Sequence, residues 1–205
     1  MSFEISDEEG TYLVRLARRA IETYLKSEEI VLPEDAPEKL RRLCGVFTTL
    51  NKAMDTGKEL RGCIGLPYPI KPLAEAVVTS AISAAVDDPR FTPISREELE
   101  EVFIEVSVMT PPQPIIVRNP RDYPEQVQVG VDGLIVEKGA RSGLLLPQVP
   151  VEWGWDAEEF LTQCCLKAWL PPDSWLMDGT RISKFQAIIF EEKSPKGEVE
   201  RKSLS

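Results

Sequence analysis

Residues 60–65 read Leu-Arg-Gly-Cys-Ile-Gly, with a guanidinium two residues before a thiol and a glycine on each side of the sulfur. On a strand, Arg61, Cys63 and Gly65 share one face, while Leu60, Gly62, Ile64 and Leu66 take the other. A guanidinium within a few ångströms of sulfur favours the thiolate, the form in which cysteine attacks carbon or another sulfur. Gly62 and Gly65 would let a ligand or a second backbone come close. The same spacing also fits a buried, inert cysteine beside an arginine whose ion pair lies elsewhere. Histidine is absent from all 205 residues, so a Cys-His pair is excluded. A nucleophilic Cys63 would have to draw on Arg61, a helix N-terminus or a carboxylate.

Three further groups could join that thiol. Asp88-Pro-Arg-Phe supplies Arg90, a second cation for an anionic ligand, or else a turn whose aspartate caps a helix or pairs with its own arginine. Glu105 interrupts an apolar run; it either faces solvent or pairs with Arg61 or Arg90 across a cleft and fixes an arginine fork. Trp153, Trp155, Trp169 and Trp175 fall in one stretch, as a stacking surface or as packing between lobes. Arg141, between Gly139 and Gly143, faintly suggests an anion nest.

Composition narrows the classes. The net charge of −10 argues against extended phosphate-backbone contact and leaves small molecules or proteins as partners. The four cysteines (44, 63, 164, 165) show no C-x-x-C spacing. Without histidine a zinc site would need all four thiolates, two of them adjacent, which suits a tetrahedron poorly. No metal and no cofactor is expected, and free thiols fit a reducing compartment. No apolar run approaches the roughly 18 residues of a membrane span. The acidic, polar N-terminus resembles no signal or transit peptide, so a cytoplasmic location is expected. Seventeen prolines, with few Asn and Gln and many Glu, Lys and Arg, hint at a thermophilic source.

The elements that must position these residues can be read from periodicity. Ser6 and Glu9 form a capping box before an apolar stripe from Leu13 to Leu25, which predicts a helix from about Asp7 to Lys26. Residues 45–51 and 60–66 alternate as two strands of a hairpin, with a turn at Asp55-Thr56-Gly57. Residues 73–86 are small and apolar on most sides, as in a buried helix. Ser95 and Glu98 start a short acidic helix, and 103–109 is a strand. The second half repeats the order: a hairpin of 133–137 and 144–148 around a long Gly-bearing loop, a helix with Ala157, Phe160, Leu161, Cys164 and Ala168 on one face, and a final strand at 185–191. Hairpin, helix and strand thus occur twice, over 44–110 and 131–192. Residues 193–205 read as a mobile polar tail. The class is α+β, with helices packed on largely antiparallel sheets.

Six motifs come in a telling order: the hexapeptide, Asp-Pro-Arg-Phe at 88–91, Glu-Val-Ser-Val at 105–108, Gly-Leu-Ile-Val at 133–136, Leu-Leu-Pro-Gln-Val at 145–149, and Phe-Leu-x-x-x-Cys-x-Lys-Ala at 160–168. Over about residues 7–192 the chain resembles the AMMECR-domain family. The resemblance implies one domain of two unequal subdomains built on a duplicated β-α-β-β-type motif. The larger is expected at roughly 1–43 and 111–192, the smaller at 44–110. It also implies a cleft between them, walled by the Arg-Gly-Cys-Ile-Gly segment. Arg61 and Cys63 are the hypothetical catalytic pair, with Gly62, Gly65, Arg90, Glu105 and Gln148 as ligand-binding residues. The family brings no established reaction. A small anionic ligand or a partner protein, of Memo type by analogy, is implied; the alternatives are a cysteine-dependent enzyme of a modification pathway and an adaptor without catalysis. Where relatives carry a histidine before the Gly-Leu at 133–134, this chain has Asp132, which puts any imidazole-dependent step at that position in doubt.

Overall fold

The computed structural model describes residues 3–54 and 57–202. Of the turn expected at 55–57, Asp55 and Thr56 lie outside that set. Helix α1 (Asp7–Ser27) begins with the capping box: the Ser6 hydroxyl accepts from Glu9 N–H, and the Glu9 carboxylate accepts from Ser6 N–H. A short 3-10 turn at Glu38–Arg41 leads to the hairpin of β1 (Gly45–Met54) and β2 (Gly57–Leu66). Then come α2 (Leu73–Val86), the single turn α3 (Arg96–Leu99) and β3 (Val102–Met109). The chain continues through β4 (Gln113–Pro114), β5 (Gly133–Lys138), β6 (Arg141–Leu145), α4 (Gln148–Trp153), α5 (Ala157–Lys167) and β7 (Arg181–Phe185). It ends with β8 (Ala187–Glu192) and β9 (Val199–Lys202).

These elements form two compact units. One runs from the N-terminus to Met109 and takes the chain up again from Ile188; its sheet has the order β2-β1-β3-β8-β9. The other is Thr110–Ala187, with the order β4-β7-β5-β6. In each, a hairpin is followed by helices and a strand that pairs with the hairpin's first member, giving β2-β1-β3 and β6-β5-β7. The fold is α+β with antiparallel sheets, and the repeated order is visible in both.

The division of the chain differs from the expected one. Residues 1–43 do not join the 111–192 part: α1 buries Leu13, Leu16, Ala17, Ala20 and Ile21 in one core with Val46, Leu50, Val77, Ile104 and Phe190. A helical stripe announces that it needs an apolar face, not which sheet supplies it. The final strand expected at 185–191 is in fact split: β7 completes the second repeat, and β8 returns to the first sheet. The tail is also more ordered than expected. Val199–Lys202 pairs with β8, pinned by Lys202 to Glu105 (3.0 Å) and Arg201 to Asp7 (3.0 Å); residues 203–205 lie outside the described set. The second hairpin closes tightly, with Lys138 opposite Arg141 and Gly139 at φ 60°, rather than through a long loop.

A buried ion pair ties α1 to β8 and to the start of β3. Arg18 Nε donates to Glu192 Oε1 at 2.7 Å and Nη2 to Oε2 at 2.5 Å, while the guanidinium also reaches the Leu99 and Val102 carbonyls. Glu192 Oε2 further accepts from Ile104 N–H at 3.1 Å. In the second unit, α5 sets Phe160, Leu161, Cys164 and Cys165 against Leu134, Val136, Ile182 and Trp175. Both adjacent cysteines are fully buried core residues, and burial pushes the Cys164 thiol up to about 12.

Candidate functional site

Strand β2 lies at the edge of the five-stranded sheet, and its register decides what surrounds Cys63. Thr49 of β1 is opposite both Cys63 and Glu105, so thiol, hydroxyl and carboxylate form a row across β2, β1 and β3. Their neighbours Thr48, Leu50 and Ile104 point the other way, into the helices, where the Thr48 and Ser80 hydroxyls are bonded at 2.7 Å. Alternation therefore puts the row on the sheet face turned away from α2.

Arg61 does not stand beside the sulfur. The register steps from Leu50 opposite Gly62 to Asn51 opposite Leu60, which leaves Arg61 as the extra residue of a β-bulge. A bulge re-aims its side chain, and here the guanidinium grips Glu98 (Nε to Oε1 2.6 Å, Nη2 to Oε2 3.0 Å) and the Thr92 carbonyl (2.8 Å). Glu98 is the partner that the sequence reading missed. Its signal was the Ser95-x-x-Glu98 capping pattern, and Ser95 does accept from Glu98 N–H at 3.1 Å. The carboxylate that would complete the box is turned to Arg61 instead.

The two glycines are likewise occupied by the protein itself. A Cβ on Gly62 would sit 2.2 Å from the Ala84 carbonyl oxygen of α2, and one on Gly65 would sit 2.2 Å from the Phe47 ring. Both open space for close packing inside this unit: at Gly62 it is a second backbone that comes close, one of the two alternatives expected, and at Gly65 it is an aromatic ring.

Asp88 and Arg90 do converge on Cys63, through its backbone. Asp88 Oδ2 accepts from Cys63 N–H at 2.8 Å, and Arg90 Nη2 donates to the Cys63 carbonyl at 3.2 Å. Arg90 holds Asp88 through Nε (2.9 Å) and Nη2 (2.7 Å). The pair thus fills the edge-strand hydrogen-bonding positions that a further strand would take. The Arg90 guanidinium, with help from the Cys63 and Arg90 N–H groups, holds the Asp88 carboxyl far below the ordinary carboxylate range. A depressed carboxylate stabilises the fold above its unfolded-state pKa and loses that contribution only as pH falls through the lower folded value. The clamp should therefore survive ordinary acidification. Asp88→Ala is expected to collapse the hydrogen-exchange protection of the Cys63 amide at neutral pH; unchanged protection would show that the clamp does not seal the edge.

Burial pushes the Cys63 thiol up; the Thr49 hydroxyl, donating to Sγ at 3.4 Å, and the Arg90 charge offset part of that rise. Glu105 and Asp88 add to it. Glu105 is 7% exposed and pairs with Lys202 at 3.0 Å, so it neither faces solvent nor pairs with Arg61 or Arg90, the two alternatives expected. Lys202 lies 3.7 Å from Glu191, which also takes Lys58 at 2.7 Å. The row therefore runs Arg90, Cys63, Thr49, Glu105, Lys202. Gln148 belongs to the other unit, where it opens α4 with its Oε1 buried and without a hydrogen-bond partner among the described residues. Asp132, in the same unit, closes a turn by accepting from Gln128 N–H (3.0 Å) and Lys184 Nζ (3.1 Å). Among the described residues no group of three or more Cys, Asp and Glu is placed to hold a metal ion.

Comparison with known proteins accounts for almost the entire chain. A family model described as AMMECR1 matches residues 14–190. Protein PH0010 of Pyrococcus horikoshii is 57% identical over 206 residues, covering 100% of both chains. Protein MJ0810 of Methanocaldococcus jannaschii is 54% identical over 197 residues, covering 96% of each. The crystal structure of the uncharacterized protein PH0010 superimposes with a TM-score of 0.89 at 56% identity, over 98% of this chain and 100% of that one.

Proposed function

This chain belongs to the AMMECR1 family, and on that premise we propose that the Cys63 face of its five-stranded sheet recognises a small anionic ligand, with the thiol acting as a neutral contact. The observation that carries this reading is the environment of one sulfur. Burial raises its pKa, and Arg61, the cation that would have ionised it, is spent on Glu98. A neutral thiol is a weak nucleophile but an adequate polar wall.

Arg90 supplies the anion contact. Its side chain is 53% exposed, and Asp88 and the Cys63 carbonyl take its Nε and Nη2, leaving Nη1 without a protein partner among the described residues. A carboxylate on Nη1 would lie near the Cys63 end of the row. Glu105, two strands along, disfavours a second negative charge. The ligand class is thus a monoanion with a polar remainder, such as a hydroxy acid.

Lactate titrated into isotope-labelled protein should shift the Thr49, Cys63 and Phe91 amides to saturation, and the shifts should vanish in Arg90→Gln. Succinate, with two carboxylates, should bind less well. No saturable shift in the native protein would remove the reading. The competing nucleophile reading has its own measurement: iodoacetamide should alkylate Cys63 more slowly than free cysteine at neutral pH, and a faster rate would restore it. A cytoplasmic location and a heat-adapted source are part of the same proposal, supported by the free thiols and by the proline- and Glu-rich composition. No described helix is long and apolar enough to cross a membrane.

A further inference from the structure

Trp169 occupies a backbone position that glycine ordinarily fills. Helix α5 ends with Leu170 N–H bonded to the Cys165 carbonyl (3.0 Å) and Trp169 N–H bonded to the Leu166 carbonyl (2.9 Å). That pair of bonds is the Schellman ending, in which the residue after the cap turns left-handed. Trp169 accordingly has φ 57°, where a bulky L side chain is strained. Its side chain is nevertheless 85% exposed, so burial does not offset the strain. Among the described residues the other non-glycine positions with positive φ are Glu28 and Lys196, both charged surface residues.

The charge around it is as unusual as the backbone. Arg141 Nη1 donates to the Trp169 carbonyl, joining the β5–β6 turn to the end of α5. Lys138 is opposite Arg141 in that hairpin, and its charge reaches the Cys165 thiol, in the last turn of α5. Lys167 is two residues before the tryptophan. None of these three cations has an ion pair among the described residues, although the chain carries a net charge of −10. Asp173 is the carboxylate that acts on the same thiol. Leu166, 46% exposed, adds apolar surface in the same turn.

We propose that Trp169, with Lys138, Arg141 and Lys167 around it, anchors an acidic segment of a partner protein, one that carries Asp and Glu beside an apolar residue. Tryptophan and arginine are the residues that most often dominate protein interfaces, and three unpaired cations complement an acidic partner. Three cations on an acidic chain are too few to track a nucleic-acid backbone. The site is independent of the Cys63 face, and strain at an exposed aromatic is what marks it as selected for contact rather than for folding.

The test uses the full chain and a fluorescent synthetic peptide of Asp, Glu and Leu, with a Lys, Arg and Leu peptide as its charge-reversed control. The acidic peptide should bind and the basic one should not. Trp169→Gly should weaken binding at least tenfold while raising Tm by about 2–4 °C, because glycine removes the strain. The double variant Lys138→Gln with Lys167→Gln, the first half-buried and the second exposed, removes both charges without adding an anion at the end of α5, and should weaken binding to a similar degree with little change in Tm. A fall in Tm with Trp169→Gly would make the tryptophan structural and overturn the proposal. Equal binding of the two peptides, or acidic binding unchanged in both variants, would overturn it as well.

Discussion

Arg18→Ala is expected to cost about 3–5 kcal/mol of stability, because it strands a carboxylate in the core. Glu192 is fully buried, and Arg18 supplies both of its short charged contacts, at 2.7 and 2.5 Å. Arg15 lies 3.4 Å away but is partly in solvent, and Ile104 N–H offers one neutral donor, so neither replaces the lost charge. The Leu99 and Val102 carbonyls lose their donors at the same time. Denaturant unfolding would read the change as a drop in midpoint with little change in slope. The double variant Arg18→Met with Glu192→Leu should recover most of the loss, since removing both charges removes the desolvation penalty too. A single variant within about 1 kcal/mol of the parent would mean that water reaches Glu192 and that the pair is not sealed.

Gly62→Ala should be the next most damaging change, at about 3 kcal/mol, the upper end for inserting one methyl into a packed core. The added carbon would stand 2.2 Å from Ala84 O, and a helix carbonyl cannot swing aside as a side chain can. Either α2 must move off the sheet or β2 must shift, and the second would pull Arg61 from Glu98. Gly65→Ala meets the Phe47 ring, which can rotate, and should cost less. Thermal unfolding of the two variants ranks them directly, and a smaller loss at residue 62 than at residue 65 would contradict the packing account.

These two residues also explain why the hexapeptide is easy to notice and hard to interpret. Its composition suggests chemistry: cation, thiol, glycines. In the fold, each of those features has a neighbour from elsewhere in the chain. Arg61 has Glu98, Gly62 has Ala84, Gly65 has Phe47, and the Cys63 backbone has Asp88 and Arg90. The alternation rule that paired Arg61 with Cys63 failed at a bulge, which depends on the facing strand and leaves no mark in the bulged one. Glu105 was found from sequence because an acid in an apolar strand stands out. Its partner was not, because Lys202 lies in a stretch with the composition of a loose tail and becomes a strand by pairing with β8.

What the sequence determined by itself was local: the capped α1, the first hairpin, the apolar α2, the repeated order of elements and the α+β class. Each of these is written in spacing over a few residues, where backbone sterics and side-chain periodicity act directly. Tertiary structure alone decided that α1 packs with residues 44–109, that β8 returns to the first sheet, that Arg18 meets Glu192, and that a thiol, a hydroxyl and a carboxylate share one row. Those outcomes depend on which apolar face covers which, and on partners up to 174 positions apart. Every amphipathic element offers such a face, and the choice among them is made by the packing of the whole chain.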